Sequence, residues 1–232
     1  FFSDIANFTS TSEGLQPEDL TTYLNQYFSE MTTIALECGA TIDKYIGDAM
    51  MVFFGDPESK SERDDARACV EMALRMQTRM DQLQRKWSNE GFADPFQVRM
   101  GINTGYCNVG NFGSEQRLTY TIIGGEVNIA QRLEASADAN GILMSYETYA
   151  HAQDMIKVEE RDAIKMKGIS REIKLFSVVG RKNDKKNKNC KVKKEPSKKE
   201  PSRVSRLEKD VLRIENNLHN LNEKVNLILK KL

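Results

Sequence analysis

Polar and apolar positions alternate, run together and recur along this chain in ways that assign most of its elements. Thr41 to Gly55, TIDKYIGDAMMVFFG, is the most informative stretch. Thr41 to Ile46 mixes polar and apolar residues as a half-buried strand does, and Ala49 to Phe54 is a continuous apolar run, expected of a strand covered on both faces. The pair reads as a hairpin with a tight turn at Gly47-Asp48, residue types that tolerate such turns. Phe1 to Ile5 is a further buried strand, and Ser10 to Gly14 reads as a polar turn. Pro17, Glu18 and Asp19 open a helix in which Leu20, Leu24, Tyr27, Phe28, Met31, Ile34 and Ala35 share one face and which Gly39 ends. Asp56 to Arg63 is expected as a polar loop and Asp64 to Trp87 as a long helix.

Strands are expected at Phe96 to Gly101, Leu118 to Ile123, Ile142 to Ser145 and Ile173 to Val179. Asn103 to Gly113 should hold a second hairpin or bulge. Glu126 to Ala135, after the Gly124-Gly125 break, and Tyr146 to Gln153 read as helices. A strand-helix-strand-strand-helix-strand order requires crossovers that put both helices on one face. The fold class is therefore α+β, a ferredoxin-like α/β sandwich.

The character changes after residue 180. Residues 181–203 are Lys-rich, nearly free of apolar side chains and contain KKEPSKKEPS, as a basic flexible linker does. In residues 204–232, Val204, Leu207, Val211, Ile214, Leu218, Leu221, Val225, Ile228 and Leu232 repeat at three-four spacing, the signature of a coiled coil of roughly 43 Å. A lone helix would leave that stripe in water, so self-association is expected.

Composition sharpens this division. The 232 residues carry 34 basic and 34 acidic side chains, yet residues 1–180 have a net charge of −10, residues 181–203 of +8 and residues 204–232 of +2, an acidic body with a basic tail. No aromatic residues interleave with the basic run, so a solvated spacer is expected rather than a nucleic-acid surface. Cys38, Cys69, Cys107 and Cys190 lack metal-ligand spacing and only two His are present, so they read as reduced thiols of a cytoplasmic protein. No apolar run is long enough to span a bilayer. The chain opens inside a strand without an initiator Met. It is expected to be part of a longer protein, with room upstream for a sensor or a membrane anchor.

Chemistry is concentrated in three stretches. Asp48 sits at the hairpin tip and Asp4 at the end of the first strand, so the two carboxylates could be neighbours in one sheet. At 4 Å they would repel by about 4 kcal/mol at an effective dielectric of 20. Lys44 lies too far back along the strand to relieve this, whereas a divalent cation would. Carboxylates without His or Cys favour a hard ion, Mg²⁺ or Mn²⁺. Ile5 to Thr9 can offer free backbone N–H groups to phosphates, with Asn7 in a left-handed conformation. In LTYTIIGGEVNIAQRLE, Asn128 and Arg132 stand at i and i+4 on one helix face. Arg suits phosphoryl oxygens and Asn a ribose or reacting hydroxyl.

FFSDIANFT, DKYIGDAMMVFFG, MGINTGYCNVGNFGS and YTIIGGEVNIAQRLE, in this order, resemble the blocks of the class III nucleotidyl cyclase catalytic domain. The likeness spans residues 1–180. It implies a homodimer with shared interfacial active sites: Asp4 and Asp48 of one protomer, with Ile5, hold two metal ions, and Asn128 and Arg132 of the other are catalytic. It further implies that Phe8 and Thr9 bind the substrate, that Lys44 and Thr121 read the base, and that Lys167 or Arg171 grips the terminal phosphates. Lys donates to adenine N1 and a Thr hydroxyl can accept from the adenine amino group, whereas guanylyl members carry Glu and Cys there. ATP is the expected substrate and cyclic AMP the product. Thr121 stands where the family more often has Asp, in a subgroup that is often bicarbonate-responsive, and Gly125 and Asn7 replace a common Asp and Gly. A diguanylate cyclase is disfavoured because GGEV at 124–127 opens the Asn128 helix instead of tipping the hairpin. A catalytically inactive relay is disfavoured because the Asp pair and the Asn/Arg pair are all present.

Overall fold

The computed structural model describes residues 1–165 and 172–182. Lys167 and Arg171, the linker from residue 183 and the coiled coil at 204–232 lie outside the described residues. Order continues past residue 180: Arg181 donates to Glu71 at 2.6 Å, and the Lys182 N–H donates to the Met155 carbonyl at 2.8 Å.

A seven-stranded sheet organises the body. In chain order its first elements are β1 (Phe2–Ile5), α1 (Phe8–Glu13), α2 (Pro17–Glu37), β2 (Thr41–Ile46), β3 (Ala49–Phe53), α3 (Glu62–Asn89) and β4 (Val98–Ile102). These are followed by β5 (Asn108–Ser114), β6 (Arg117–Ile123), α4 (Gly125–Ser136), β7 (Ile142–Ser145), α5 (Tyr146–Ala152), β8 (Ile156–Lys165) and β9 (Glu172–Arg181). Strand order is β2-β3-β1-β4-β7-β9-β8, and β5-β6 form a separate two-stranded ribbon. The first four strands are antiparallel, with α2 and α3 as the crossovers, which is the ferredoxin-like arrangement. β7 then adds parallel to β4 and extends the sheet.

The apolar run of β3 is buried on both faces. Met50 and Val52 join the core beneath α2 and α3, while Met51 and Phe53 join a second cluster with Phe2, Ile122 and Ala130 of α4. α2 begins at Pro17, where the missing N–H costs nothing. α3 begins two residues before Asp64 because Ser61 caps it, accepting from the Asp64 N–H at 3.0 Å. Arg79 of α3 forks onto Glu30 of α2 at 2.8 and 2.6 Å, and Tyr27, Trp87 and Phe96 are almost wholly buried between helices and sheet.

Three elements differ from the sequence reading. The expected polar turn at Ser10 to Gly14 belongs to the short helix α1, which starts where left-handed Asn7 (φ 55°) reverses the chain. The glycine-rich Asn103–Gly113 stretch supplies one strand of the β5-β6 ribbon. β8 was not expected at all: its segment, IKVEERDAIK, is dominated by charged residues, as suits an edge strand that discourages further pairing.

Candidate active site

Sheet order brings the two acidic stretches together. β1 lies between β3 and β4, so Asp4 near the end of β1 neighbours the β2-β3 turn that carries Asp48. Gly47 takes φ 64°, a left-handed conformation natural to glycine, and this sets the turn. The Ile5 N–H donates to Asp48 Oδ2 at 3.2 Å, tying the tip to β1. The Asp4 carboxyl is pushed up to about 7. Burial is the largest cause, followed by a hydrogen bond with Asp48 and the negative charges of Asp48 and Glu134, and Arg99 acts in the opposite sense. The hydrogen bond between the two side chains brings the carboxyls within reach of each other.

Arg99, not singled out from the sequence, is the counterion here. It is the direct cross-strand partner of Asp4, with Nη2 3.6 Å from Asp4 Oδ2 and 3.1 Å from Glu134 Oε1. Glu134 is a buried acid on α4 whose carboxyl is raised by burial. Among the described residues, Arg99 Nε has no hydrogen-bond partner, and Glu134 Oε1 is held by the Arg99 ion pair without a hydrogen bond of ordinary geometry. Lys44 does not serve this pair, in line with the sequence reading.

The donor chemistry fits a hard divalent ion: two carboxylates and the backbone of Ile5, with no soft ligand. Among the described residues no cluster of three or more His, Cys, Asp or Glu side chains forms a complete metal cage. A site of this kind leaves positions for water and substrate oxygens, as Mg²⁺ sites commonly do. Phe8 and Thr9 stand in the first turn of α1, where backbone N–H groups have no partner within the helix. Phe8 anchors that turn by packing on Phe96, with ring centroids 6.0 Å apart.

A second group forms where β2 meets β6. β2 carries a bulge between Ile42 and Lys44, so Asp43 is the extra residue and its side chain is re-aimed. Thr121 Oγ1 donates to the Asp43 carboxylate at 2.9 and 2.7 Å, the Ile122 N–H donates to it at 3.0 Å, and Lys44 Nζ lies 3.2 Å from Asp43 Oδ1. Lys44 and Thr121, expected together, are thus joined by a residue the sequence reading passed over. Only a topology that includes the bulge reveals Asp43.

Asn128 and Arg132 lie on α4, which follows Gly124 (φ 158°). The helix is pressed against β4: a Cβ on Gly101 would come 2.2 Å from the Glu134 nitrogen and 2.3 Å from the Ala130 oxygen. Asn128 is exposed and Arg132 half-buried, and neither side chain forms a hydrogen bond or ion pair among the described residues. The structure does not join this pair to the acidic pair of the same chain by any hydrogen bond or ion pair.

Exposed apolar residues cluster along the β5-β6 ribbon and the β2 tip. Tyr106, Leu118, Tyr120 and Ile123 belong to this set, as do Tyr45 and Ile46. No helix among the described residues is long and apolar enough to cross a membrane.

The model of the adenylate and guanylate cyclase catalytic domain matches residues 1–180. Adenylate cyclase 1 of Rhizobium meliloti is 33% identical over 181 residues, covering 77% of this chain and 27% of that protein. The crystal structure of the adenylyl cyclase CyaB from P. aeruginosa superposes with a TM-score of 0.76 at 49% identity, over 79% of this chain and 93% of that one. The guanylyl cyclase Cya2 superposes with a TM-score of 0.73 at 35% identity, over 80% and 92%. The chain belongs to the class III adenylate and guanylate cyclase catalytic domain family. It spans only about a quarter of the length of the Rhizobium relative (27%).

Proposed function

We propose that this domain is an adenylate cyclase, converting ATP to 3′,5′-cyclic AMP and pyrophosphate at two sites shared across a homodimer. One observation carries the reading: the acidic pair is assembled within one chain, while the side chains of Asn128 and the half-buried Arg132 have no hydrogen-bond or ion-pair partner among the described residues. A second protomer would supply the missing half, and the exposed apolar ribbon β5-β6 offers a surface to pair through. The coiled coil at residues 204–232 would raise the local concentration of the partner.

Asp4 and Asp48, with the Ile5 backbone, are the residues that would hold two Mg²⁺ or Mn²⁺ ions. Such ions, when bound, lower the pKa of the ribose 3′-hydroxyl and neutralise phosphate charge. The hydroxyl gives up its proton to water and attacks the α-phosphorus; the new O–P bond closes the ring as the bond from the α-phosphorus to the bridging oxygen breaks and pyrophosphate departs. Asn128 holds the ribose in line, and the Arg132 fork stabilises charge that grows on the α-phosphoryl oxygens. The N–H groups of Phe8 and Thr9 cradle the phosphates, and Lys167 or Arg171 grips their far end. Lys44 and Thr121 receive adenine. Cya2 shows that guanylyl cyclases share this fold, and the base-reading pair is what favours ATP here.

Mixing two inactive variants tests the shared site. Asp48→Asn and Asn128→Ala should each abolish cyclic AMP formation alone. Mixed dimers should regain up to one intact site in two. Verified mixed dimers that stay silent would overturn the reading.

A further inference from the structure

We infer that Asp43 sets nucleobase choice by fixing which way the Thr121 hydroxyl points. The inference rests on the reading that Lys44 and Thr121 receive the base, and it assigns a positioning residue that touches no substrate.

A threonine hydroxyl has one proton and can either donate or accept. Left to rotate, it would satisfy the adenine amino group as an acceptor or guanine O6 as a donor, and would discriminate poorly. Here its proton is committed. Both oxygens of Asp43 lie within 2.9 Å of Thr121 Oγ1, so the hydroxyl donates inward and only its lone pairs remain. Thr121 is 6% exposed, so water competes little with Asp43 for that proton. An incoming amino group meets an acceptor there, whereas a carbonyl oxygen meets lone pairs and is repelled.

Asp43 is built for this task. Its side chain is fully buried, and the bulge turns it toward β6 instead of leaving it in the strand's regular alternation. The Ile122 N–H at 3.0 Å holds the carboxylate in register with β6. Lys44 Nζ, 3.2 Å away and 39% exposed, is held on the same side with protons left over. Those protons suit adenine N1, an acceptor, and oppose guanine N1, which carries a hydrogen. One carboxylate thus orients both base-reading groups in the same sense.

Asp43→Asn separates this role from a merely structural one. The amide can turn its NH₂ toward Thr121, which frees the hydroxyl proton to point outward. Steady-state kinetics would use ATP, GTP and purine ribonucleoside triphosphate, the adenine analogue without its amino group. The wild type should favour ATP over that analogue by about tenfold in kcat/KM, the value of one hydrogen bond of about 1.4 kcal/mol. In Asp43→Asn that preference should fall toward unity, and the ATP-over-GTP ratio should drop by about tenfold. Equal losses on all three nucleotides, with the ratios kept, would overturn the inference. If Asp43→Asn does not fold, the wild type and Thr121→Val decide: a wild type indifferent to the amino group, or a Thr121→Val variant as selective as the wild type, also overturns it. A wild type that makes no cyclic product from ATP would instead overturn the underlying functional reading.

Discussion

Arg99 faces Asp4 directly across the β1-β4 ladder, and its guanidinium also reaches the buried Glu134 at 3.1 Å. Two acids, Asp4 and Glu134, therefore share one basic group, and Asp48 adds a further negative charge beside Asp4. Burial first, and then the hydrogen bond and negative charge of Asp48 and the charge of Glu134, push the Asp4 carboxyl up to about 7.

That raised value makes a pH prediction with a definite sign. An acid whose folded pKa lies above its unfolded one, here about 7 against an ordinary 3.8, contributes stability that is fully present below pH 4 and lost as pH rises through 7. In EDTA at pH 8, Asp4→Asn should melt about 2–4 °C higher than the wild type, corresponding to roughly 1 kcal/mol. Mn²⁺ should stabilise the wild type at pH 8, much less at pH 6, and Asp4→Asn at neither. Thermal melts at the two pH values check this, and a variant that melts lower in EDTA at pH 8 would contradict it.

Removing the basic group has the opposite effect. Arg99→Met leaves Glu134 buried without its ion pair, a loss of about 3–5 kcal/mol for a buried pair broken on one side. Adding Glu134→Gln should recover much of it, because the stranded charge is gone. A double-mutant cycle by urea denaturation measures the coupling, and additive losses would show that the pair is not energetically linked.

Gly101 is where α4 and β4 come closest. Gly101→Ala sets a methyl against helix backbone, which cannot move aside as a side chain can. The expected cost is about 1–3 kcal/mol. Because α4 carries Asn128 and Arg132, kcat should fall by more than stability alone explains. Rates measured well below the melting temperature separate the two effects.

The carboxy-terminal segment has a concentration signature. Deleting residues 204–232 should leave the specific activity unchanged at high protein concentration and lower it on dilution. Activity per chain that stays constant across a thousandfold dilution would show that the coil does not support assembly.

The acidic pair was legible in the sequence because its signals are local: a Gly-Asp turn ahead of an apolar run, and an Asp at a strand end. The four-strand core was legible for the same reason, since periodicity and caps mark each element. Arg99 was not, because its importance comes from being opposite Asp4 across the sheet, a register no local pattern encodes. Asp43 was hidden by the bulge, as strict alternation would set it on the other face from Lys44. α1 and β8 were missed because a six-residue helix and a charged edge strand lack a distinctive apolar period.

The β2-β3 hairpin has one strand locked between two cores and one at the rim of the sheet. Asp48 hangs from the locked side, and Asp43 and Lys44 sit on the rim. On the proposed reading, changes in nucleotide preference could therefore accumulate on β2 with little disturbance to the tip that would hold the ions. A lineage built on this hairpin would, on that reading, be free to exchange its messenger without reinventing how the ring is closed.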